Sequence, residues 1–348
     1  MKVAILGCGA LGGVMAARLA ARPGISLTVI NRNPGIAEAV KARGLVLAEG
    51  RRRRSLPVEI VAHPDRTAGG TPFDALILAT KSNGLIDEAQ KLIPYLSQDC
   101  FVVTTQNGLI ALELADALGR ERLIPGCVLW GASMQEPGEY RITATGPFII
   151  GSLQAESGQS RLRRAAGLLA HIFPVTVSAN IEGVLWSKLA ITSTFTTMGL
   201  LTGLRFGSLA ASSRIRRLML AIGGELLAAA RAEGVTLEPL GGGLDIERLL
   251  SEHGYPAVLK HLLIRVIGFK HRRTESGMLD SLKRGRKTEI DFINGKLMAL
   301  AEKAAVPAPY NRLAVKLAGE MEEGKRDPRP DNLDAFDEIE NQQRSCCG

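Results

Sequence analysis

A lysine and two hydroxyls, Lys188, Thr192 and Thr196, recur every four residues among Leu185, Leu189 and Phe195. On a helix that spacing sets them on one face. Such a stripe is costly in an apolar helix unless it meets a cavity or water. An ammonium facing a cavity can stabilise negative charge on an oxygen and donate a proton. A solvent-facing stripe with its hydroxyls bonded back to the helix is the competing structural reading. A second constellation is Thr288-Glu289-Ile290-Asp291-Phe292-Ile293-Asn294-Gly295. There Glu289 flanks a core face of Ile290, Ile293, Leu297 and Leu300, with Thr288 as N-cap. A carboxylate at a helix start also serves simply to complement the dipole.

A third group of residues binds phosphate. Gly7-x-Gly9-x-x-Gly12 follows a short apolar strand, Lys2–Leu6, and opens a helix. Gly7 permits the tight turn, Gly9 admits backbone to a pyrophosphate, and Gly12 lets helix pack on strand. The loop Gly7, Cys8, Gly9, Ala10, Leu11 and Gly12 is therefore read as a dinucleotide site. At the end of the second strand, where a carboxylate would hold the ribose of NAD, stands Asn31-Arg32-Asn33. Arg32 suits a 2′-phosphate, so NADPH is the expected cofactor. Lys81 in Thr80-Lys81-Ser82-Asn83-Gly84 and Asn107 in Thr105-Gln106-Asn107-Gly108 lie just past later strands. Such positions carry ligands in open sheets, although both segments are also ordinary turn formers.

These groups need a scaffold. Strands and helices alternate through the first half: strands at Ser26–Ile30, Asp74–Thr80 and Cys100–Thr105, helices at Pro34–Arg43, Leu85–Leu96 and Ala111–Leu118. That is the pattern of a doubly wound parallel sheet. Two short strands around Glu49–Arg54 read as a hairpin. Leu123–Met134, Gly138–Thr143 and Pro147–Leu153 read as an antiparallel edge. From Ile181 the periodicity is helical: Ile181–Leu201, Ser208–Glu233, Ile246–Glu252, Tyr255–Ile267, Glu289–Ala305 and Arg312–Glu322. The expected fold is α/β, an N-terminal Rossmann-type domain over 1–178, then an all-α domain over 179–325. The polar stretch 326–348 is expected to be an extended or disordered tail.

Composition narrows the function. With 348 residues and 46% hydrophobic content, each half can bury a core. No apolar run reaches membrane-spanning length, and Val3–Leu6 is too short for a signal peptide, so a cytoplasmic protein without a membrane partner is expected. The five cysteines are odd in number and scattered, which suits reduced thiols. Cys346-Cys347 has no histidine nearby, and no metal is expected. The net charge of +8 comes with only 4% aromatics, which argues against a nucleic-acid partner. Arg51–Arg54, Arg161–Arg164, Arg214–Arg217 and Lys270–Arg273 read mostly as solvated faces.

Over nearly all of residues 1–325 the sequence resembles the ketopantoate reductases. The resemblance rests on GCGALGG, the Lys81 and Asn107-Gly108 turns, Trp186-Ser187-Lys188-Leu189 and Lys287–Gly295, in that order. It implies a catalytic set of Lys188 as general acid, Glu289 and Asn107, with Lys81 and Asn107 also at the cofactor. It further implies closure of the helical domain over the nicotinamide. Thr192 and Thr196 stand where the family carries asparagines. Gly277 stands where a serine commonly meets the substrate carboxylate, so Ser276 is taken as its replacement. The substrate set is then Lys188, Thr192, Thr196, Ser276 and Glu289, and the partner a small 2-oxo acid. The leading reading is reduction of ketopantoate for pantothenate synthesis. The departures also admit another 2-oxo acid, an opine-type imine, or an NADP(H)-responsive binding protein without turnover. A homodimer is left open.

Overall fold

The computed structural model describes residues 1–50, 52–63, 72–154, 158–240 and 243–346, with side chains to 342. Arg51 and Cys347 lie outside the described residues, as does the side chain of Cys346. The chain divides into two compact units, Met1–Gln106 with Ile110–Ile181, and Asn107–Leu109 with Glu182–Gly348.

The first unit begins with β1 (Lys2–Leu6), α1 (Ala10–Ala20), β2 (Ser26–Ile30), α2 (Pro34–Arg43), β3 (Leu45–Glu49), β4 (Arg52–Leu56) and β5 (Glu59–Val61). It continues through β6 (Phe73–Leu78), α3 (Leu85–Gln90), β7 (Leu96–Thr104), α4 (Ile110–Leu118), β8 (Leu123–Ile124) and β9 (Gly126–Val128). Last come β10 (Gly131–Glu136), β11 (Glu139–Ala144), β12 (Phe148–Ile150), α5 (Gln159–Ala170) and β13 (Val175–Val177). Six strands form a parallel sheet in the order β5-β2-β1-β6-β7-β8. The chain leaves β1 toward β2 and β5, then returns to β6 on its other side. That reversal makes a switch point at the carboxyl ends of β1 and β6, where open α/β sheets bind ligands. Val3 and Ala75 on one face and Ala4 and Leu76 on the other are wholly buried, as expected of strands covered on both faces.

The hairpin read around Glu49–Arg54 is present as the antiparallel pair β3–β4. The expected antiparallel edge over 123–153 is present only as separate pairs, β10–β11 and β9–β12, not as one edge. β8 joins the main sheet in parallel. β10 and β11 build a second sheet with β3 and β4, and β9, β12 and β13 build a third. Pro125, Gly126 and Pro147 break the segment into pieces too short to continue one edge, and each finds its own partner.

The second unit holds α6 (Ile181–Ile191), a π-helical turn (Thr192–Thr196), α7 (Thr197–Thr202), α8 (Phe206–Ala211), α9 (Ser213–Ala232) and α10 (Ile246–Leu250). It ends with α11 (Ala257–Lys270), α12 (Gly277–Lys283), α13 (Asn294–Lys303), α14 (Pro309–Glu322) and α15 (Asp337–Cys346). The single helix expected over Ser208–Glu233 is two. Ser212 is extended and its side chain accepts from the Ile215 amide at 3.3 Å, capping α9. Nor are all the basic runs solvated. Arg216 is buried, and its Nη1 donates to the carbonyls of Ala210 and Ala211 at the end of α8.

The expected disordered tail is also corrected. Pro330–Phe336 is a 3-10 helix leading into α15, with Leu333 and Phe336 buried. Asn332 donates to Leu201 O at 2.8 Å, and Arg214 bonds Asp334 and Asp337 at 2.8 and 2.6 Å. A polar average concealed two apolar anchors and a set of paired charges.

Candidate active site

In the first unit the glycines separate by what surrounds them. A Cβ on Gly7, whose φ is +102°, would lie 2.8 Å from Thr80 N. One on Gly12 would lie 2.2 Å from Gly7 O, so a side chain would force α1 off β1. Around Gly9 such a Cβ meets nothing within 4 Å. The first turn of α1 has neither a side-chain cap nor an acidic residue. Close packing at Gly7 and Gly12, free space at Gly9 and unneutralised amides at a helix start fit a pyrophosphate. Cys8 contributes backbone only, since its side chain is 1% exposed and burial pushes its thiol up to about 11.

Arg32 follows β2 with its side chain 64% exposed, and its Nη1 meets Glu88 of α3 at 3.1 Å. Lys91 bonds the same carboxylate at 2.9 Å; that bond, then the charge of Arg32, holds Glu88 below the usual carboxylate range. An ion pair so open to water contributes about 0–1 kcal/mol, too little to lock the guanidinium. Lys81 is exposed just past β6. Its neighbour in space, Gln106, carried no assigned role in the sequence. The Gln106 Nε2 donates to Leu78 O and Thr80 O at 2.9 and 2.8 Å, and its Oε1 accepts from the Thr105 amide. This side chain clamps the carboxyl ends of β6 and β7 beside the switch point.

In the second unit Lys188 is half-buried near the end of α6, one turn before the helix widens. Its charge reaches His271, which burial, then Lys270 and Lys188, hold below the ordinary histidine range. Thr192 Oγ1 donates to Lys188 O at 2.9 Å and Thr196 Oγ1 to Thr192 O at 2.5 Å. Both hydroxyl protons are therefore spent within the helix, and each group can only accept from a ligand.

Carbonyls of the π turn also accept from side chains of distant segments. Asn294 Nδ2 donates to Ser193 O at 3.1 Å, and Ser276 Oγ donates to Thr196 O at 2.7 Å. Ser276 is wholly buried, and its oxygen also accepts from the amides of Met278 and Leu279 as the N-cap of α12. The hydrogen-bonding capacity of Ser276 is thus used in the fold. Asn294 also accepts from Thr197 Oγ1 at 2.6 Å and donates to Asn311 Oδ1, which leads to Glu225. Burial raises the Glu225 carboxyl pKa, against hydrogen bonds from the Asn311 and Tyr310 amides. Asn294→Ala should lower unfolding stability by about 2–4 kcal/mol, since it orphans several buried groups at once. A change below about 0.5 kcal/mol in urea denaturation would contradict this.

Glu289 does not start a long helix. It precedes a 3-10 turn, Ile290–Phe292, and α13 begins only at Asn294, after a break at Ile293. Thr288 is not the N-cap expected of it, since Glu289 holds that place before the 3-10 turn; its Oγ1 still accepts from the Ile290 amide at 3.2 Å while donating to Glu322 at 2.5 Å. Asn107 is exposed, and its turn groups with this unit because Gly108 lies against the chain here. A Cβ on Gly108, whose φ is +83°, would sit 2.5 Å from Phe292 O. The fold thus brings the Asn107 turn to the Glu289 turn, and Asn294 ties the latter to the helix that carries Lys188.

Residues 3–155 match the family described as "Ketopantoate reductase PanE/ApbA", and residues 180–322 match "Ketopantoate reductase PanE/ApbA C terminal". The chain belongs to the ketopantoate reductase family. It is accordingly an oxidoreductase acting on a CH–OH group, with a nicotinamide cofactor and a small keto acid as substrate. The 2-dehydropantoate 2-reductase of Pyrococcus horikoshii is 29% identical over 318 residues, 90% of this chain and 95% of that protein. A PanE/ApbA family ketopantoate reductase from Ralstonia eutropha JMP134 is 27% identical with a TM-score of 0.77, covering 93% of this chain and 99% of its own. D-mandelate dehydrogenase, solved with NADH and anilino(oxo)acetate, is alike in fold at 20% identity and a TM-score of 0.79, over 93% and 99% of the two chains. Among the described residues, no group of three or more His, Cys, Asp or Glu could hold a metal ion. No described helix is long and apolar enough to cross a membrane.

Proposed function

We propose that the chain is an NADPH-dependent reductase of a 2-oxo acid, with ketopantoate as substrate and pantoate as product, working in cytoplasmic pantothenate synthesis. The observation that carries this reading is the placement of Asn107, Lys188 and Glu289 in one unit, within a family match that spans both units. Bound NADPH would supply the hydride. The loop Gly7–Gly12 holds the pyrophosphate, Arg32 the 2′-phosphate, and Lys81 and Asn107 the ribose and nicotinamide side. Lys188 donates a proton to the substrate oxygen as charge builds there. Glu289 orients the substrate, and Thr192 and Thr196 accept hydrogen bonds from it. Incubation with NADPH and ketopantoate should yield pantoate by mass spectrometry; no pantoate above a protein-free control would refute the reading.

A second reading, reduction of a different 2-oxo acid, is favoured by the spent hydroxyl protons of Thr192 and Thr196 and by the engagement of the Ser276 hydroxyl within the fold. A site with fewer donors selects a less polar substrate.

The proposed assembly is a homodimer through α11. Five of the eight exposed large hydrophobics among the described residues lie on this helix. Val258, Leu262, Val266 and Phe269 make one stripe, and Val258 is 82% exposed. An antiparallel second copy would set Phe269 on Val258 and bring Lys270, Arg272 and Arg273 toward exposed Glu252. Leu262→Glu should convert a dimer to a monomer in light scattering; a wild-type monomer at micromolar concentration would refute the pairing.

A further inference from the structure

We infer that Tyr140 orients the phosphate-binding loop, aiming the Gly9 amide at the cofactor by holding the carbonyl of the preceding residue. The inference rests on the dinucleotide reading of that loop.

Tyr140 comes from β11, far from the loop in sequence, and is wholly buried. Its hydroxyl donates to Cys8 O at 2.8 Å. The Cys8 sulfur lies 3.1 Å from the same hydroxyl. A phenol has one proton and a carbonyl has none, so that proton goes to Cys8 O and the thiol must be the donor to the phenol oxygen. Burial favours the same arrangement by keeping both groups protonated. The ring packs where a larger residue than glycine would be: a Cβ on Gly13 would fall 2.1 Å from Tyr140 Cε1. Gly13 is thus explained by Tyr140 and not by the cofactor.

The consequence follows from peptide geometry. All described peptide bonds are trans, and a trans unit points its C=O and its N–H in opposite directions. Fixing the Cys8 carbonyl on a buried phenol therefore turns the Gly9 N–H away from the core. Cys8 is buried and Gly9 exposed, so this one peptide crosses from interior to surface. A loop amide set in advance loses no orientational freedom when an anion arrives, which is how preorganisation raises affinity.

Tyr140→Phe in the full chain keeps the ring on Gly13 and removes only the hydroxyl. Titration of NADPH fluorescence should show its Kd rising about five- to tenfold. The KM for NADPH should rise in parallel, with kcat at saturating NADPH within about twofold of wild type, the pattern of lost ground-state binding. An unchanged Kd overturns the inference, as does a variant that fails to fold or melts far lower with its Kd intact, because the hydroxyl would then serve the core. A wild-type chain that binds no NADPH overturns the dinucleotide reading as well, which separates the two failures.

Discussion

Replacing Lys188 by methionine is expected to lower kcat for 2-oxo acid reduction by about three orders of magnitude, within the range attributed to a positioned general acid. The argument is chemical first. Hydride addition turns a ketone oxygen into an alkoxide, and an ammonium both stabilises that charge and supplies the proton. The position supports it: Lys188 is half-buried at the last turn of α6 before the helix widens, and its backbone carbonyl is already engaged by Thr192. Methionine has similar length and helix propensity, so α6 should persist and NADPH affinity should stay near wild type. Stopped-flow and steady-state assays at saturating NADPH read the effect. A loss of less than about tenfold would remove Lys188 from the proton transfer.

The next largest effect is expected at Arg32. Arg32→Ala should reduce kcat/KM with NADPH by about 10- to 100-fold, the size of one charge-assisted hydrogen bond to a phosphate, and leave NADH nearly unaffected. Glu88 makes the outcome informative. In the structure its carboxylate shares Arg32 and Lys91, so a 2′-phosphate must compete for the guanidinium against an exposed and weak pair. Equal losses with both cofactors would place Arg32 outside phosphate recognition.

How much of this could be read from the sequence depended on how local the cause was. The glycine loop was legible because its causes are local: Gly7 takes a positive φ in the turn, and Gly12 packs against Gly7 within the same βαβ unit. The parallel sheet was legible because its strands are apolar on both faces. The widened turn at Thr192–Thr196 was not, since four-residue spacing reads as plain α-helix. Asn294 and Ser276 arrive from distant segments to bond its carbonyls, contacts that local spacing does not show. For the same reason the structural role of Ser276 is not legible locally: the carbonyl it serves lies 80 residues away. The roles of Gln106 and Tyr140 are not local either, because their partners, Leu78, Thr80 and Cys8, become neighbours only once the strands are stacked. The tail misled by composition, because Leu333 and Phe336 are a small share of a polar stretch and carry its packing.

The central claim is the reaction, and the most direct test is the catalytic efficiency of purified chain with NADPH across ketopantoate and a panel of other 2-oxo acids. The account predicts NADPH oxidation in step with pantoate formation and the highest kcat/KM with ketopantoate. Turnover of another 2-oxo acid with none of ketopantoate would keep the hydride chemistry and contradict the proposed substrate; no turnover of any 2-oxo acid would contradict the account as a whole.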